Sequence, residues 1–131
     1  MNDLNAVLAA VQQFMGQGRV NEAQALLRDA LARDPGNVHL NNAMGLSFMS
    51  VGDLPQARVF IERALAARPD EPVLLVNLGR IEGSLGLSDD SLARFERAAT
   101  LAPAMIEARE GLAQMLRIKE RYTDAAEQAA L

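Results

Sequence analysis

Catalysis needs titratable or nucleophilic side chains gathered at one place, and this sequence offers few of them. It contains one histidine, His39, and no cysteine. Thiolate nucleophiles, thiolate metal sites and disulfides are therefore excluded. His39 stands next to Asn41 and Asn42 near the start of a helical pattern, and no Ser-His-Asp arrangement accompanies it. It reads as a solvated or partner-facing imidazole. One histidine among scattered Asp and Glu lacks the ligand spacing of a zinc site. The pair Asp89-Asp90 opens a helix, where acidic side chains complement the helix dipole. Gly16-Gln17-Gly18 follows a helix and lacks the GK[ST] of a phosphate loop, so it reads as a turn. The expectation is a non-enzyme with no catalytic residue, no cofactor and no metal.

The elements that could position a site follow from composition. Of 131 residues, 50% are hydrophobic but only 4% aromatic, and mean hydropathy is near zero. Ala and Leu dominate where a β-rich core would use Val, Ile, Tyr and Phe, so the chain reads as a soluble helical domain and not as a disordered one. The net charge of −4 supplies no positive field for phosphate backbones or anionic lipids, and no nucleic-acid partner is expected. Met1-Asn2-Asp3-Leu4 has no basic leader, and Gln12, Gln13 and Gly16 interrupt the apolar stretch that follows. No signal peptide or membrane insertion is expected. The absence of Cys suits a periplasmic or a cytosolic domain; the reading is cytoplasmic.

Internal periodicity gives the architecture. Pro35, Pro69 and Pro103 are 34 residues apart, and so are Gly18, Gly52 and Gly86. The same step links Ala23, Ala57, Ser91 and Ala125, then Leu27, Ile61 and Phe95, then Ala30, Ala64 and Ala98, and Met44, Leu78 and Leu112. Within a unit the apolar spacing is helical, as in Ala57, Ile61, Ala64 and Leu65, and Gly52-Asp53 separates two such stripes. Each unit therefore reads as helix, turn, helix and a Pro-containing turn. The spacing predicts helices over 3–16, 20–33, 37–50, 54–67, 71–84, 88–101, 105–118 and 122–131. Pro55 and Pro72 suit first turns, and Asp53 and Ser88 suit N-caps.

This 34-residue frame resembles the tetratricopeptide repeat (TPR), with small residues where paired helices touch and a terminal Pro. The second unit carries the resemblance best, in Met44-Gly45, Phe48, Gly52-Asp53, Ala57, Ile61, Ala64 and Pro69. The resemblance implies one all-α domain over 1–131, a right-handed superhelical solenoid of antiparallel helix pairs, with units at about 4–37, 38–71, 72–105 and 106–131, the last incomplete. Two departures stand out. Glu82 occupies the place of Phe14, Phe48 and Leu116, so its carboxylate is exposed, protonated or paired, with Arg58 or Arg94 as nearby partners. Asn41 and Arg109 replace apolar residues at another place, suggesting gaps that a second surface fills.

In TPR proteins the first helix of each unit lines a concave face. Transferred here, that face presents Asn5, Leu8, Gln12 and Met15; His39, Asn42, Leu46 and Met49; Val73, Val76, Arg80 and Gly83, with Asn77 beside them; and Glu107, Glu110, Gln114 and Arg117. The apolar members suggest a groove for an extended peptide or amphipathic helix, with Asn, Gln and Arg as polar pins. Some TPR domains clamp acidic C-termini with Lys, Asn and Arg, but the matching places here hold Leu8, Gln12, Ala43, Val73 and Asn77, and only Asn77 fits. The Asn ladder of certain sugar-transferring enzymes is met by Asn77 but not by Ala43 or Gly111. The expected function is a non-enzymatic protein-interaction module that also self-associates through its groove or open C-terminal face. The alternative is the TPR portion of a larger enzyme, such as a transferase, that recruits substrate or assembles subunits.

Overall fold

A computed structural model describes residues 3–130, and these form seven α-helices. In order they are α1 (Leu4–Gly16), α2 (Val20–Arg33), α3 (Val38–Ser50), α4 (Leu54–Ala67), α5 (Pro72–Ser84), α6 (Ser88–Leu101) and α7 (Ile106–Ala129). The chain divides into two compact units, residues 1–69 and 70–131. In the first, α1 packs on α2 and α3, α2 on α3, and α3 on α4. In the second, α5, α6 and α7 pack on one another pairwise.

The turns inside helix pairs explain why the pattern repeats. Gly18, Gly52 and Gly86 have φ of 74°, 79° and 81°, a left-handed conformation that glycine adopts without a Cβ clash. The next residue's amide then reaches back to close the helix end. Arg19 N donates to Phe14 O at 2.8 Å, Asp53 N to Phe48 O at 2.9 Å, and Leu87 N to Glu82 O at 2.8 Å. Helix starts are less uniform. Asp53 caps α4 by accepting from Gln56 N at 3.3 Å, and Asn37 caps α3 by accepting from Leu40 N at 3.0 Å. Pro55 and Pro72 lie in first turns as expected. Ser88 does not cap α6: Leu87 occupies the cap position with no side-chain bond, and Ser88 is the first helical residue.

The first six helices begin and end within one residue of the spacing-based expectation. The last two do not exist separately, because α7 runs unbroken for 24 residues through the expected turn. The fourth place in the glycine series is Glu120. A side chain there disfavours the left-handed turn by about 1–2 kcal/mol, whereas Glu is a good helix former. The helix therefore continues.

Small residues set how closely helices approach. A Cβ on Gly45 would fall 2.6 Å from Ile61 Cδ1, and one on Gly79 would fall 2.9 Å from Phe95 Cε2. A Cβ on Gly111 would fall 2.2 Å from Phe95 Cε1, so the Phe95 ring is held between α5 and α7. Ala23, Ala57 and Ser91 are fully buried at the equivalent crossings. Ser91 adds a bond, its hydroxyl donating to Gly79 O at 2.7 Å. Asn41 is also no gap: it is buried and donates from Nδ2 to Pro35 O and Asn37 O, both at 2.9 Å, tying down the loop before α3. Arg109 is exposed.

Glu82 is 0% exposed, and its Oε1 accepts from Arg94 Nε at 3.0 Å. One repeat earlier the same two places hold Phe48 and Phe60, which stack at 5.6 Å between ring centroids. An ion pair in the second unit thus replaces an aromatic pair in the first. Removing one member of such a pair weakens the compensation of a buried charge, whereas replacing both with packed apolar groups is close to neutral. Arg94→Met should lower stability in urea unfolding by about 3 kcal/mol, and the double replacement Glu82→Phe with Arg94→Phe should recover most of that loss. The packing around Phe95 gives a second expectation. Gly111→Ala should cost about 1–3 kcal/mol through overpacking, measured in the same way.

Candidate functional site

Unit 1 contains a cleft of about 500 Å³ between α1 and α3. Helical spacing brings Asn5, Leu8, Gln12 and Met15 to one side of it and His39, Asn42 and Leu46 to the other. Ala9, Val11, Ala43 and Ser47 complete the lining. Leu46 is 40% exposed despite its size, and Leu8 and Met15 are half-buried. These apolar side chains are available to an occupant.

The floor of the cleft is rigid for identifiable reasons. Ser47 is buried and donates its hydroxyl to Met44 O at 2.6 Å, and it accepts from Gln24 Nε2 at 3.0 Å. That buried side-chain bond ties α2 to α3 beneath the lining. Val11, Ala23, Leu27, Leu40 and Met44 form the core under it, and Phe14 and Phe48 pack against them. Among the described residues no Lys, Arg, Asp or Glu lines the cleft, and His39 is the one titratable side chain in it. The surface is therefore apolar with amide edges, suited to side chains that leave water and to peptide groups that need partners. It has no set of convergent acids and bases for catalysis. Among the described residues no group of three or more His, Cys, Asp or Glu could hold a metal ion, and no helix is long and apolar enough to cross a membrane.

The remaining residues of the sequence stripe are placed differently. Met49 is half-buried on α3 but does not line the cleft. In unit 2, Val73, Arg80, Gln114 and Arg117 are exposed. Val76 is 2% exposed and Asn77 is 6% exposed, so neither side chain is presented at the surface. Unit 2 also holds a cleft of about 720 Å³ that the stripe did not indicate. It lies between the start of α6, at Ser88, Asp89 and Leu92, and the second half of α7, at Lys119, Tyr122 and Ala126. It exists because α7 does not turn, and the signal for it was Glu120 at the glycine place.

Comparison with known proteins agrees with this architecture. A family model described as tetratricopeptide repeat matches residues 14–82, and a second of the same description matches residues 76–131. The chain is similar to the TPR domain of Sgt2 from Aspergillus fumigatus, with a TM-score of 0.82 or more in two such likenesses: 0.86 for Sgt2, at 16% identity over 93% of this chain and 82% of that one, and 0.82 for the first TPR of Spaghetti (RPAP3) bound to an HSP90 peptide, at 17% identity over 88% of this chain and 91% of that one. Among curated proteins it is 31% identical over 81 residues to bacteriophage adsorption protein A of Escherichia coli (strain K12), covering 62% of this chain. The chain spans only 8% of that relative's length. The frame of 34 residues, the glycine-closed turns, the small-residue crossings and the family match agree: the chain belongs to the tetratricopeptide-repeat family, with an all-α TPR fold.

Proposed function

We propose that this chain is a non-enzymatic interaction module whose unit 1 cleft receives the apolar side of an extended peptide or amphipathic helix. The observation that carries this reading is the lining: Leu8, Met15 and Leu46 stand exposed or half-buried around an uncharged cleft edged by Asn5, Gln12 and Asn42. Apolar side chains supply affinity, amides meet the peptide backbone, and methionine adapts to the shape of its ligand. That a protein of similar fold holds an HSP90 peptide supports a peptide as the class of ligand. The ligand expected here differs in chemistry, because no cation in this lining would meet an acidic chain end.

The small share of the bacteriophage adsorption protein that the chain spans favours a second reading, in which a module of this kind recruits a partner for a much larger protein. Both readings place the contact on the same surface. Self-association is carried by a different surface, on α7.

Selection from a displayed library of 16-residue peptides, followed by calorimetry on the peptides obtained, tests the cleft. Selected peptides should carry apolar residues at helical or alternating spacing. Leu46→Glu and Met15→Glu should each weaken their binding at least about tenfold with little change in melting temperature, since both side chains reach the surface. Unchanged binding in both variants would contradict the assignment.

A further inference from the structure

The second half of α7 changes what its first half presents. In units with a glycine-closed turn, the second helix covers the first; here Glu120 keeps α7 straight, and its outer side stays uncovered among the described residues. Ile106 is 56% exposed and Leu116 is 43% exposed, and Arg109, Ala113 and Glu120 are exposed with them. At about 100° per residue these five fall on one side of the helix, away from Ala108, Gly111 and Met115, which are buried. We infer that this face is a self-complementary interface that joins two copies of the chain with their α7 helices antiparallel.

The order of charges selects the partner. Arg109 and Glu120 are eleven residues apart, three helical turns, with Ala113 and Leu116 between them. If a two-fold axis crosses α7 between residues 114 and 115, Arg109 of each copy faces Glu120 of the other. The same axis sets Ala113 opposite Leu116, small against large, twice. A parallel pairing would instead set Arg109 against Arg109 and Glu120 against Glu120. Among the described residues neither Arg109 nor Glu120 is held in an ion pair within the chain. Ile106, Ala113 and Leu116 supply the apolar contact, and the rim charges fix register and orientation. An isologous contact of this type closes at two subunits and does not propagate.

The interface lies in unit 2 and the peptide cleft in unit 1, so each is read independently of the other. Light scattering over a hundredfold dilution should show the 131-residue chain passing between monomer and dimer. Arg109→Glu and Glu120→Arg should each weaken dimerisation at least tenfold, because each sets like charges against one another. An equimolar mixture of the two variants should dimerise again, since every facing pair is then of opposite sign. Leu116→Glu should abolish association, with circular dichroism confirming that each variant remains helical. A chain monomeric throughout the range, single reversals that dimerise as the parent does, or a mixture no tighter than its components would overturn the assignment.

Discussion

The close approach of paired helices is the constraint on which the rest of this molecule depends. Two helices that meet through bulky side chains cannot bury enough surface to hold a unit of about 34 residues together, and a repeat is stable only through its neighbours. Gly45 facing Ile61, and Gly79 and Gly111 facing opposite sides of Phe95, bring backbones near enough for the intervening side chains to fill the space. Ser91 shows how little room remains, since its hydroxyl is satisfied by the Gly79 carbonyl of the facing helix. With these crossings fixed, the outward side of each first helix is left for other purposes. In unit 1 that side becomes a cleft.

Turn chemistry supplies the second constraint. Three glycines at left-handed φ end α1, α3 and α5 with the same backbone bond at three places. At the fourth place Glu120 forms no such turn, and one substitution converts an expected helix pair into a single long helix. The local rule is the same at all four places; only the residue differs. The consequences are non-local: a cleft opens beside α6, and an apolar face stays uncovered along α7.

Much of this was legible in the sequence. Repetition at 34 residues located six helices, and the spacing of Asn5, Leu8, Gln12, Met15, His39, Asn42 and Leu46 marked the side chains that converge on the unit 1 cleft. Glu82 announced itself by replacing an aromatic residue, and one of its two suggested partners, Arg94, bonds to it. What the sequence obscured has physical causes. Val76 and Asn77 carry the right spacing but are buried, and spacing alone does not report exposure. Ser88 has the chemistry of an N-cap but sits one residue inside the helix, since the glycine turn places Leu87 at the cap. Asn41 read as a gap because its bonds are to backbone carbonyls of the preceding loop, which no side-chain pattern reveals.

We propose that this module meets its partner at the uncharged cleft between α1 and α3. Methyl-resolved NMR during titration with a library-selected peptide reads that claim residue by residue. Saturable shifts are expected at the methyl groups of Leu8, Met15 and Leu46, with Ile106 and Leu116 unmoved by the peptide. Shifts centred on α7, with the methyl groups of α1 and α3 unchanged at saturation, would contradict it.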